Sequence, residues 1–171
     1  MAGTPDPALG SSTVTAAVAC LVALAVTVTP LVLAARDRLP SPRRLAAVGC
    51  LAYALVCLGS WAGARLLTDA FVRSMVADHL VLAGFLLLGA LVLTVQAAIP
   101  LYLYASERLY APLAALFAVA VLVEWVFLRV RGESDPLGLY ALFFGPLVAA
   151  ALLVVGVAEV GVRRAVAAVG R

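Results

Sequence analysis

The sequence predicts an all-α fold, a polytopic membrane helix bundle of five transmembrane helices, and three observations carry that prediction. Of the 171 residues, 65% are hydrophobic and 12% are charged, against about 25% charged in soluble domains. Mean hydropathy is +1.15; a water-soluble domain of this length cannot hide so much apolar surface, whereas lipid accepts it. Five apolar runs approach the ~20 residues that cross a hydrocarbon core, at about 13–35, 45–67, 79–104, 112–129 and 137–161. The strict alternation of barrel strands is missing, so continuous backbone bonding in lipid demands helices. The chain reads as a single domain, 1–171.

The first run follows MAGTPDPALGSST, which has no Arg or Lys; without a positive n-region it reads as a retained span, not a cleaved signal. The turn RDRLPSPRR leads into the second run, which holds Gly59-Ser-Trp-Ala-Gly63, a small-residue pattern expected to pack this helix within its own bundle. The link TDAFVRSMVAD carries Phe71, Val72, Met75 and Val76 at helical spacing, so it is expected in the interface or as an extension of the third helix. ASERLYA separates runs three and four, the latter the shortest, and VRGESDP precedes the fifth. Gly145-Pro146 breaks the outer half of that last helix, as a kink, a late start or a hinge. Cys20, Cys50 and Cys57 fall inside apolar runs without C-x-x-C or Cys/His spacing, so they read as small packing residues.

All twelve basic residues are Arg. With the N-terminus outside, the cytoplasmic face receives Arg36, Arg38, Arg43, Arg44, Arg108, Arg163, Arg164 and Arg171, and the outer face Arg65, Arg73, Arg129 and Arg131. Eight against four favours a cell-membrane protein with its N-terminus out and its C-terminus in the cytoplasm. The arginines sit at helix ends and form no single basic face, which argues against nucleic acid as a partner.

An internal similarity appears at an offset of 70 residues. Pro30-Leu-Val-Leu-Ala-Ala-Arg-Asp-Arg-Leu-Pro-Ser-Pro42 lies over Pro100-Leu-Tyr-Leu-Tyr-Ala-Ser-Glu-Arg-Leu-Tyr-Ala-Pro112 with seven of thirteen positions identical. Pro30 and Pro100 each remove a helix hydrogen bond before the cytoplasmic end, and Pro42 and Pro112 suit the first turn of the next helix. Asp37-Arg38 and Glu107-Arg108 make the charged bends between them. The pattern reads as a parallel duplication of a two-helix hairpin with a fifth helix added; shared turn chemistry at one membrane face is the alternative.

Five residues form a candidate intramembrane polar site: Glu124, His79, Gln96, Arg131 and Asp78. Glu124 stands in an apolar run, and ionisable groups in such runs are functional candidates by default. Arg131 is seven residues on and so shares its helix face. The expectation is an outer-leaflet carboxylate met by Arg131, directly or through water; a proton relay or substrate site is the alternative. Asp78 and His79 open the third helix on the same side, with Arg65 and Arg129 at neighbouring helix ends. Gln96 sits four residues before Pro100, and its side chain is expected to bond a neighbouring helix. Glu159 and Arg163 have the favourable i,i+4 order for an ion pair.

A single histidine leaves no multi-His metal site and no bis-His haem ligation within one chain, and no catalytic motif appears. No metal, no cofactor and no enzymatic activity are expected. The function expected is that of a structural or accessory membrane subunit, with the lipid bilayer and a second copy or another membrane protein as partners. The alternative is a small-solute or proton-coupled transporter using Glu124, His79 and Gln96.

Overall fold

A computed structural model describes residues 6–70, 78–130 and 135–169. Five helices form an all-α bundle: α1 (Ser12–Ala35), α2 (Pro42–Thr68), α3 (His79–Glu107), α4 (Ala111–Phe127) and α5 (Pro136–Val169). A two-residue ribbon joins β1 (Asp6–Pro7) to β2 (Arg129–Val130), antiparallel, with Asp6 opposite Val130 and Pro7 opposite Arg129.

Local chemistry sets the helix ends. Ser11 caps α1, its hydroxyl accepting from Thr13 N at 3.2 Å. At the other end Asp37 takes φ 54, Arg38 N donates to Leu33 O at 2.8 Å and Asp37 N to Ala34 O at 3.1 Å, a Schellman-type closure. Pro42 is the first residue of α2 and Pro112 the second of α4, where a missing N–H costs nothing. The two similar turns are not superposable residue by residue. The left-handed residue closing α3 is Arg108, the counterpart of Arg38, so it falls one place later than Asp37 does in the first turn. Pro30 and Pro100 both lie buried inside their helices.

Packing does not follow chain order. The largest helix contacts are α2 on α3 and α1 on α4, while α5 lies across α3 and α4 and the consecutive pair α1–α2 touches little. Leu21, Leu51, Leu55, Leu87, Val154 and Val157 are all more than half exposed, whereas Thr15, Thr27, Arg65, Gln96 and Glu124 are buried. An apolar exterior, with these polar side chains turned into an otherwise apolar core, is the arrangement that lipid favours.

Four helices are long and apolar enough to cross a membrane: α1, α2, α3 and α5. The fourth expected span differs. Its helix stops at Phe127, not at Arg129, and its 17 residues rise ~25 Å, under the ~30 Å hydrocarbon core. The reason is β2, which draws Arg129 and Val130 into pairing with the N-terminal strand, backed by Ala8 N to Leu128 O at 2.9 Å. Helix α5 instead runs past its expected end at residue 161, since Val-Arg-Arg-Ala-Val-Ala-Ala-Val contains no helix breaker. The Gly59/Gly63 face is also not where the sequence suggested: a Cβ at either glycine would meet nothing within 4 Å among the described residues, so neither glycine sits at a close helix crossing there. The amphipathic link 71–77 lies outside the described residues.

Inside α5 the backbone widens to a π-turn over Tyr140–Phe144, with Gly145 N bonding to Tyr140 O. Pro146 accounts for it: it has no N–H to give Leu142 O, and its ring crowds that carbonyl. Gly145 is required at the crossing, because a Cβ there would collide with Val92 Cγ1 of α3 and lie 3.0 Å from Tyr140 O.

Candidate functional site: a buried polar column

One face of α2 carries Tyr53, Cys57, Ser60, Trp61 and Arg65, at the three- and four-residue spacing of a single helix face. From Tyr53 to Arg65 the rise is ~18 Å, and polar groups of α3, α4 and α5 meet this face at three levels.

At the level nearest the helix ends, Arg65 and Asp135 make an ion pair, Nε to Oδ2 at 2.9 Å, with side chains only 3% and 8% exposed. Asp135 also accepts from Trp61 Nε1 at 3.1 Å and from Leu137 N at 2.8 Å, capping α5. Arg65 Nη1 donates to Trp61 O at 3.0 Å and Phe127 O at 3.3 Å, and its guanidinium lies 4.7 Å from the Trp61 ring centroid. Burial of a pair is tolerated when its remaining donors and acceptors are satisfied, and here they nearly are.

Glu124 occupies the middle level. It is 0% exposed, and neither carboxyl oxygen has a hydrogen-bond partner among the described residues. Cys57 and Ser60 lie beside it, with Tyr53 close by. Glu124 is enclosed within the bundle, three residues before Phe127, the last residue of α4. Arg129 does not reach it either. Its guanidinium stacks over Trp125, 3.8 Å from the ring centroid. Arg131 lies outside the described residues.

The third level is neutral. Gln96 is 0% exposed; its Nε2 donates to Tyr53 Oη at 3.0 Å and its Oε1 accepts from Tyr140 Oη. The amide thus ties α3 to α2 and α5, and the π-turn is what aims Tyr140 at it.

Asp78 and His79 stand apart, exposed at the start of α3, where Asp78 Oδ1 accepts from Leu80 N at 3.0 Å and Val81 N at 3.2 Å as an N-cap. Of the five candidates, Glu124 and Gln96 join the column and Asp78 and His79 do not. Tyr53, Cys57, Ser60, Asp135 and Tyr140 were missed. The α2 residues leave a signal in their common face, and Asp135-Pro136 reads as a cap with proline at N1; nothing in sequence pairs Asp135 with a residue 70 positions away.

At the opposite end of the bundle, Glu159 and Arg163 pair at 2.6 Å and fasten the α3–α4 turn. Glu159 accepts from Tyr110 N at 3.2 Å and Ala111 N at 2.7 Å, the start of α4. Arg163 donates to Glu107 O at 3.3 Å and Arg108 O at 2.7 Å, the end of α3. Each charge sits at the helix end whose dipole it complements.

Fold and column together define a membrane-type helix bundle with a buried ionisable core. No protein family, curated protein or solved structure matches the chain.

Proposed function

We propose that this is a multi-pass protein of the cell membrane, N-terminus out and C-terminus in the cytoplasm, that binds and releases a proton at Glu124 and couples it to the movement of a small solute. The observation carrying this reading is the complete burial of Glu124, with no hydrogen-bond partner for either carboxyl oxygen among the described residues. An ionised carboxylate in such a place costs several kcal/mol or more, so the site accommodates the neutral acid and resists the charged one until water or a cation enters. Cys57, Ser60, Tyr53, Gln96 and Tyr140 supply neighbouring polar groups along one line, and the Arg65–Asp135 pair closes its end. The orientation rests on the arginine distribution. The duplication gains support from the packing: exchanging α1 with α3 and α2 with α4 turns the α1–α4 contact into the α2–α3 contact, the two largest in the bundle.

The test is the carboxyl infrared band of the protein in lipid, wild type minus Glu124→Gln, followed against pH. A protonated-carboxyl band at neutral pH that vanishes in the variant, with solute- or pH-driven flux in liposomes abolished by the same change, is the expected result. A carboxylate band alone at neutral pH would sink the reading.

A second reading, an accessory subunit of a larger membrane assembly, is favoured by the open Gly59/Gly63 face, since close-approach stripes of this kind seat neighbouring helices. Native mass spectrometry separates the two: a stable hetero- or homo-oligomer unaffected by Glu124→Gln supports the subunit.

A further inference from the structure

The two similar turns are finished differently, and the difference leaves a site. At the α3–α4 turn, α5 fills the angle between the two helices and Glu159 brings a negative charge to the first amides of α4. At the α1–α2 turn no helix of the described residues takes the place that α5 has at the α3–α4 turn, and Leu101 of α3 lines the space between the two helices in part. The two helices leave an apolar groove of about 590 Å³, walled by Val26 and Leu33 of α1 and Val48, Ala52 and Val56 of α2, with Arg44 at its end. No side chain caps the start of α2, and Pro42 leaves the amides of Arg43 and Arg44 as the donors of that first turn. The turn is also the most basic part of the chain: Arg36, Arg38, Arg43 and Arg44 are all exposed there against one acid, Asp37.

We propose that this groove binds an anionic phospholipid, one acyl chain lying between α1 and α2 and the phosphate seated at the start of α2 on Arg44 and the first-turn amides. The parts agree in kind and in position. The groove is apolar along the depth a chain would occupy and opens to the bundle's lipid-facing side. Arg43 and Arg44 stand in the first turn of α2, a helix long and apolar enough to cross a membrane, where headgroups meet a helix that spans. A helix N-terminus favours an anion through its free N–H groups and its dipole, and basic clusters between helix ends at a membrane face recognise anionic headgroups. The phosphate does for α2 what Glu159 does for α4. Glu124 does not line this groove; its neighbours Cys57 and Ser60 stand on a different face of α2 from Val48, Ala52 and Val56.

The experiment uses the full chain in detergent, titrated with dioleoyl phosphatidylglycerol or dioleoyl phosphatidylcholine and read by native mass spectrometry. Phosphatidylglycerol should be retained over phosphatidylcholine by about 25-fold, Arg43 and Arg44 contributing about fivefold each. Arg43→Gln with Arg44→Gln, both at exposed positions, should abolish the preference; Arg164→Gln, exposed near the end of α5, should leave it intact. Val48→Trp, which fills the groove, should reduce retention of both lipids. Equal retention of the two lipids overturns the proposal, as does a preference that survives the double arginine change. A dimer that Val48→Trp dissociates, with no dependence on lipid charge, would assign the groove to a second copy instead.

Discussion

Arg65 and Asp135 show how strongly one buried contact constrains this chain. Each is the other's counter-charge, and Asp135 in addition holds Trp61 and the first turn of α5. Removing one partner leaves an uncompensated charge in a dry place, so Arg65→Leu or Asp135→Leu should each cost ~3–5 kcal/mol. The pair Arg65→Leu with Asp135→Leu should cost far less than the sum, since no charge is then stranded. Unfolding midpoints in mixed micelles across the double-mutant cycle measure this coupling, and additive losses would show that the two residues act separately. Little of it was legible beforehand. Arg65 and Asp135 could be placed at helix ends from hydropathy alone, but a contact across 70 residues has no local signature. Glu124 was visible as an anomaly; its enclosure was not, because Cys57 and Ser60 of α2 lie beside it and a contact between distant helices has no local signature.

Glycines divide the helices into faces that are used and faces that are free. Gly145 lies under Val92 at the crossing of α3 and α5, and Gly89 would place a Cβ 2.7 Å from Leu137 Cδ1. Gly63 on α2 meets nothing within 4 Å. Gly145→Ala should therefore destabilise the bundle by ~1–3 kcal/mol through overpacking, and by displacing Tyr140 it should also weaken the bond to Gln96. Gly63→Ala should leave the monomer's unfolding midpoint unchanged or raise it slightly, as alanine improves helix propensity. The reverse ranking in an unfolding series would mean that the α3–α5 crossing is looser than its geometry. Element existence was readable from hydropathy, and the first-turn places of Pro42 and Pro112 were readable from turn chemistry. Neighbour choice was not: helices joined by a short turn are expected to pack together, yet α1 leans on α4 and α2 on α3, because the short turn limits how far two ends separate and says nothing of the angle between their axes.

The two ends of the molecule are set by charge, and α4 is where that assignment can be tested hardest. One end of α4 is held by Glu159 at Tyr110 and Ala111, the other by Arg65 Nη1 at Phe127 O. Glu159 stands near the C-terminal end of α5 and Arg65 near the C-terminal end of α2, so α4 runs between the same two ends as the four longer helices despite its 17 residues. Its shortfall against the hydrocarbon core is a few ångströms, a mismatch that local thinning or the flanking Arg129 and Trp125 can absorb at modest cost. On the proposed topology, His79→Cys and Ser134→Cys should react with a membrane-impermeant maleimide in intact cells. Ser41→Cys, Ser106→Cys and Ala167→Cys should react only after lysis. The native cysteines lie within α1 and α2, two of them buried, and protonated thiols in apolar surroundings react slowly. Labelling of Ser134→Cys from the cytoplasmic side, with His79→Cys still outside, would mean that α4 turns back within the membrane and that four helices cross it. A complete exchange of the two groups would keep all five crossings and invert the protein, against the eight arginines that favour the cytoplasm.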